Sequence, residues 1–481
     1  MRLKISFQKH FLYRRRISFM FILLCTIGCS LDIPYENRFS DPDAISTPIR
    51  AKELLATAYA ELPDASFELS VLSDDFDPTP LLVQNTELSN LYKWQPTPIE
   101  VLSFSLWEGY YSAIAIANAV LERTVLISPQ TSKEEILLRS VIAEAKVIKA
   151  HCFFNLLRLF APDYGDGDGH EGVPLKRMVE LEFLPRASIA TCVEHIRILL
   201  SEALESDYTS VGEYWFSPMS ACYLMAELEL YAHNYKVATD YARKVIRGHG
   251  GEEALSERSY RSMWGDSPCP ERIFSRFVKS VYYTDISLSR EKGDYLSVSQ
   301  ALTDSYAPED LRREATIYTY RLKNQDLADK EAMRVGLGKY NRENKEGRPF
   351  RTVNRYRVSG AYFIMAEALC RMGDEPAGID VANRYLAHRK APLLPSEGLS
   401  GDALIRSILQ EKWKEFVGEG ERFFDLKRLR KTVLSDWNRS GSASMKRIAS
   451  DDYRWNFPIP KGEYLYNKQM TQNEGWPKIG R

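Results

Sequence analysis

The chain has 481 residues, 44% of them apolar, and a formal charge of −1 from 64 basic and 65 acidic side chains. That apolar share can build a large core, and the lack of a basic tract beyond the first sixteen residues excludes a binder held by phosphate neutralisation, so nucleic acid is not expected as a partner. Seven cysteines with no CxxC spacing imply neither a disulfide framework nor a cysteine-rich metal site.

The first sixteen residues, "MRLKISFQKHFLYRRR", hold six cations and no acid, and an apolar run from Ile17 to Gly28 precedes Cys29. A basic stretch, a short apolar stretch and a small residue before a cut form the layout of a secretory signal. A bilayer-spanning helix needs about 20 apolar residues, more than this run supplies. "TIGC" resembles the lipobox of bacterial lipoproteins, with Thr26 where Leu is usual. It implies cleavage before Cys29 and diacylation of that cysteine, and a plain secretory signal is the alternative. Loss of the six leader cations takes the formal charge from −1 to about −7. Residues 1–28 are thus expected to be a signal peptide, and the remaining chain, with no Ser/Gly/Pro-rich linker, reads as one large body.

Helical periodicity dominates that body. "YYSAIAIANAVLERTVL" after Trp107 predicts a long Ala-rich helix. From Ile136 to Phe160, Val141, Ala145, Ile148, Cys152, Leu156 and Leu159 recur at steps of four and three, giving one apolar face. Pro162 and "DYGDGDG" end that helix. The acids of "DYGDGDGHE" (Asp163 to Glu171) alternate as in a calcium loop but lack its DxDxDG order and closing Glu. The stretch reads as an acidic turn, with calcium as the alternative. Two segments match without a gap: "MAELELYAHNYKVATDYARKVI" from Met225 and "MAEALCRMGDEPAGIDVANRYL" from Met365. Each reads as helix, short polar break, helix, the pattern of a tetratricopeptide-like hairpin that must stack to bury its faces. Phe67–Val101 and Gly250–Gly347 show little sustained period and are expected to be long irregular segments, which in compact chains usually carry function.

Leu404, Ile405, Ile408, Leu409, Trp413 and Phe416 step along one helical face. "GEG" (Gly418 to Gly420) interrupts, and Phe423, Leu426 and Leu429 resume the stripe. This predicts helix, glycine corner, helix, with the glycines at positive φ. Glu421 and Asp425, four apart, could form an acid/base pair. Their position in a helix whose acid leads and whose Lys427, Arg428 and Arg430 trail suits the helix dipole instead, so the pair is read as scaffold. No HExxH, no histidine pair at ligand spacing and no GxSxG occur, so no enzyme constellation is expected.

"EKWKEFVGEGERFFDLKRL" resembles the signature of the SusD/RagB family of outer-membrane nutrient-binding lipoproteins of Bacteroidetes. "GAYFIMAEALCRMGD", the C-terminal "YRWNFPIPKGEYLYNKQMTQNEGW", "AEAKVIKAHCFFNLLRLFAPDYG", "LSDDF" and "LWEGYYSAIAIANAVLER" resemble other parts of that family in the same order. The resemblance implies an all-α fold: tetratricopeptide-like hairpins form a scaffold and long irregular loops carry the ligand site. It implies an N-terminal region 29–215 and a C-terminal region 216–481 in one compact body. It also implies a lipid anchor at Cys29, an outer-membrane location facing the exterior, and capture of oligosaccharide for delivery to a SusC-like TonB-dependent transporter. Capture of peptide, as by RagB-like members, and a helical-repeat adaptor with only protein partners are the alternatives. Glycan sites pair flat aromatics with hydrogen-bonding polar groups. The resemblance implies that the part of the chain holding "LSDDF" and "NLYKWQPTP" contributes to the ligand surface, so Trp94, Asp74 and Asp75 are candidate ligand residues. Tyr282 and Tyr283 of the irregular "KSVYYTD" stretch are a second aromatic set, while Trp107 and Trp413 are core. No catalytic residue, metal ligand or cofactor is assigned.

Overall fold

In the computed structural model, the described residues are 45–210, 212–277, 295–321, 333–340, 352–435 and 448–478. Helices α1 (Pro48–Glu61), α2 (Ser66–Leu72), α3 (Thr86–Tyr92), α4 (Pro96–Thr124), α5 (Ser132–Phe160), α6 (Ile189–Glu205), α7 (Pro218–Tyr231) and α8 (Tyr235–Gly248) form the first half. In the second half come α9 (Glu257–Ser262), α10 (Gln300–Ser305), α11 (Leu311–Thr316), α12 (Val358–Arg371), α13 (Glu375–His388), α14 (Gly401–Phe416), α15 (Glu421–Leu429) and α16 (Lys461–Tyr466). Strands are few: β1 (Phe76–Pro78), β2 (Arg272–Phe277), β3 (Leu296–Val298), β4 (Ile317–Arg321), β5 (Met333–Leu337) and β6 (Thr352–Arg357). They pair only in antiparallel twos, β1 with β3, β2 with β6 and β4 with β5. The fold is therefore mainly helical, as expected, and Ser46–Arg481 cluster as one compact unit.

Helices adjacent in sequence pack as neighbours from α4 through α8, and α12 then packs on α8 and carries α13 and α14. The face foreseen between Ile136 and Phe160 is buried along α5, from Val141 through Leu159. The helix starts earlier than the apolar pattern because Thr131 caps it, accepting from the Glu134 amide at 3.2 Å, while its first turn is solvent-exposed. The five cysteines at 152, 192, 222, 269 and 370 are buried and unpaired.

The two matched segments become two hairpins in the same register, α7–α8 and α12–α13. Ala232, His233 and Asn234 donate to Leu228, Leu230 and Glu229; Met372, Gly373 and Asp374 repeat this with Ala368, Cys370 and Leu369. The turn residues His233 (φ 59°) and Gly373 (φ 85°) both lie in the left-handed region, which closes the helix end through its last carbonyls. Packing of α8 on α12 stacks the hairpins.

Phe67–Val101 differs from the expectation of a long irregular segment. It holds α2, α3 and the start of α4, with β1 between α2 and α3. Seven-residue helices are too short to display a period, and Pro96 sits in the first turn of α4, where its missing N–H costs nothing. None of the described helices is long and apolar enough to cross a membrane.

Candidate functional site

The glycine corner forms between α14 and α15 with Gly418 at φ 77° and Gly420 at φ 81°, as the spacing predicts. It is a joint between distant parts of the chain. The Gly418 amide donates to Asp75 Oδ2 (2.9 Å) and the Gly420 amide to Ser70 Oγ (3.0 Å). A Cβ on Gly420 would lie 3.1 Å from the Ser66 Cα, so α2 is pressed against bare backbone. Asp75 also accepts from the Trp413 indole at 2.7 Å. Burial pushes its carboxyl up to about 6. Asp74 takes both arms of the Arg422 guanidinium, at 2.8 and 2.9 Å.

These contacts correct the assignment of Asp74 and Asp75 as ligand residues. Both are spent on tying "LSDDF" to the signature. Trp94 is corrected likewise, since it is 0% exposed. Its indole donates to the Leu72 carbonyl at 2.9 Å, and its ring meets Trp455 edge-on at 4.7 Å between centroids. A ring without an open face cannot stack on a sugar. It closes a turn at φ 55° as an anchor. Trp107 and Trp413 are buried, as expected of core residues. Cys29, Tyr282 and Tyr283 lie outside the described residues.

Glu421 and Asp425 do share a face, with Asp425 buried and Glu421 half-buried. Asp425 is held by Lys412 (3.0 Å) and Arg428 (2.7 Å), and Arg428 reaches on to Glu367 at 2.5 and 2.6 Å. Glu421 is pushed up to about 7 by burial and the nearby Glu227. Lys427 donates to the Arg158 and Ala161 carbonyls at 2.6 and 2.8 Å and so closes the end of α5. The space left beside this charged nest is small, about 40 Å³. The acids after α5 have partners too: Asp163 accepts from the Gly165 amide, and Asp166 from Arg430 and Lys431.

Open space lies instead on the other side of α2. A cleft of about 420 Å³ is bounded by Phe67 and Glu68 of α2, Asn85, Glu87, Leu88 and Leu91 at α3, Val101 and Ser105 of α4, and Tyr295 before β3. Phe67 and Tyr295 are half-buried, so each offers partial ring area at a wet boundary. Beyond its own amide, the Glu68 carboxyl has no hydrogen-bond or ion-pair partner among the described residues, and burial pushes it up to about 7. A second groove of about 310 Å³ adjoins across Val101, between Phe104 and the Pro458–Lys461 segment. A third, of about 360 Å³, continues past α16 to Leu181 and Phe183. Val101 and Phe104 are 61% and 56% exposed, so α4 carries an apolar band between the clefts.

The cleft lies along the segment singled out from its lack of period, Phe67–Val101, but on residues other than the candidates named there. Within "SFELSVL", Ser66, Leu69, Ser70, Val71 and Leu72 are buried. Phe67, an aromatic beside Glu68 and off that buried set, was the available signal.

A family model described as "SusD family" matches residues 275–476, and one described as "Starch-binding associating with outer membrane" matches residues 34–212. A SusD-like protein of Formosa agariphila is 21% identical, covering 87% of this chain and 92% of its own. The starch-binding protein SusD of Bacteroides thetaiotaomicron is 29% identical over 25% of this chain and 21% of its own. A crystal structure of a SusD superfamily protein from Bacteroides vulgatus superposes with TM-score 0.75 at 21% identity, covering 90% of this chain and 100% of that one.

Proposed function

This chain belongs to the SusD/RagB family, and from that membership we propose that it captures oligosaccharide at the α2–α3–α4 cleft and passes it to a SusC-like TonB-dependent transporter. The family is one of binding proteins, and this chain is not an enzyme. The observation that carries the reading is the cleft itself. Half-buried Phe67 stands beside Glu68 on α2, which the glycine corner ties to the scaffold, and shares the cleft with Asn85 at α3 and half-buried Tyr295 before β3. Aromatic area for sugar C–H faces and polar groups for hydroxyls, held on rigid elements, are what such capture needs.

Outer-membrane association follows the matched description of residues 34–212. Anchoring through diacylated Cys29 and an outward-facing position complete the proposal. A tethered captor gains by releasing its ligand beside the next site, where local concentration is high. Starch binding is named for one relative, so carbohydrate is the first ligand class to test. The purified chain, screened against a polysaccharide panel, should retain at least one glycan, and Tyr295→Ala should weaken that retention. Retention of none refutes glycan capture. Cys29→Ser should move the protein to soluble fractions, and a large barrel should co-purify with the lipidated form in mild detergent. Absence of any co-purifying barrel removes the delivery role.

A further inference from the structure

The wall of the cleft has a one-sided charge. Its described lining includes two carboxylates, Glu68 and Glu87, and no lysine, arginine or histidine. Two cations near α2 are engaged by other groups: Arg355 pairs with Asp64 and donates to Ser66, and Arg422 is taken by Asp74. The carboxylates at the wall suit a ligand rich in hydroxyl or amine donors, while the Asn85 side-chain carbonyl is taken by the Leu88 amide at 3.1 Å.

Resting on the capture reading above, we propose that this cleft selects oligosaccharides free of acidic groups, neutral or amine-bearing, and rejects those carrying uronate or sulfate. A sugar carboxylate or sulfate in the cleft would lose hydration and meet like charge with no counter-ion on the described wall, the repulsive half of specificity. A hydroxyl or amine donor meets an acceptor there in the same geometry. Glu68 sets the strength of this filter, because its carboxyl borders the ligand volume from a half-buried position with no cation in contact among the described residues. Asp64 and Arg355 are the neighbouring charges that act on it. In its acid form it can still donate one hydrogen bond to a sugar oxygen; ionised, it accepts only.

The test is retention of the purified full chain by a panel of neutral, amine-bearing, uronate-bearing and sulfated polysaccharides of several linkages, at pH 8 and moderate salt. Neutral or amine-bearing glycans should be bound about tenfold more tightly than any acidic one. Glu68→Gln combined with Glu87→Lys should narrow that gap by raising acidic retention, with thermal unfolding no lower than that of the native chain. Preferential retention of a uronate or sulfated glycan by the native chain overturns the inference and leaves capture standing. A gap that the double variant does not change also overturns it, since another wall would then hold the filter. Retention of no glycan at all overturns capture, and this inference with it.

Discussion

Around the glycine corner, Arg357 donates to Glu415 at 2.5 Å and to Glu419 at 2.8 and 3.1 Å, and Arg389 donates to Glu271 at 2.5 Å. Arg312 joins Asp310 and Glu411 nearby. Burial alone would raise the Glu415 carboxyl, yet Arg357 and Arg389 hold it down at about 2. Across α2, Glu68 is also desolvated, has no cation in contact among the described residues and is pushed the opposite way, to about 7. Two desolvated glutamates thus part company: one is a clamp where cations meet it, the other a cleft wall that no described cation touches. Titration direction alone does not separate scaffold from site, since Asp75 and Glu421 are also raised inside the scaffold; the open cleft beside Glu68 does.

The largest effect that would break this contrast is expected from Glu415→Ala. Removing Glu415 leaves buried Arg357 with Glu419 and buried Arg389 with Glu271 as carboxylate partners, and stability should fall by about 3–5 kcal/mol in denaturant titration. A loss below about 1 kcal/mol would mean that the cluster is no clamp. Trp94→Ala should cost a similar amount, about 3–5 kcal/mol, through the cavity beside Trp455. Ligand affinity of the folded fraction should stay at the native level; a specific loss of affinity with native stability would restore Trp94 as a ligand contact.

Gly420→Val should cost about 1 kcal/mol or more, because φ 81° is unfavourable for a β-branched residue and the new Cβ meets the Ser66 backbone. Tyr295→Ala should do the reverse of these changes. Affinity should drop about tenfold while stability moves by less than about 1 kcal/mol, measured by calorimetry and thermal unfolding on the same preparation.

The pH dependences sharpen the contrast further. Glu415 lies below its ordinary value of 4.5, so its contribution is present above that pH and is lost as pH falls through about 2. Glu68 lies above 4.5, so its contribution is complete below that value and is lost as pH rises through about 7. Glu68→Gln should therefore match the native protein at pH 4 and exceed its stability at pH 8. Equal stability at both pH values would place the Glu68 carboxyl in open water.

The long helices, the paired hairpins and the corner were legible because each leaves a local mark: a 3.6 period, a repeated register, or glycines where φ must be positive. Trp94 was misread because its partners are remote. Trp455 packs its ring and Arg454 donates to its carbonyl at 2.6 Å from the far end of the chain. An aromatic in a turn between a short helix and the start of a long one looks exposed until the segment that covers it is in place. Asp74 and Asp75 were misread for the same reason, as Arg422, Trp413 and Gly418 are distant in sequence. Phe67 went unread because a helix of two turns sets no period against which its odd position stands out.

Asp75 also sets an order of assembly. Its two partners, the Trp413 indole and the Gly418 amide, are 338 and 343 residues further along the chain. During emergence of the chain from a pore, α2 and β1 appear long before the groups that receive this carboxylate. Until then it stays hydrated, and the loop that must close is among the longest the molecule contains, a slow kind of contact to form. A chain cut short before Lys412 therefore lacks every group that the corner offers to α2 and to the two acids after it: the Trp413 indole, the Gly418 and Gly420 amides and the Arg422 guanidinium.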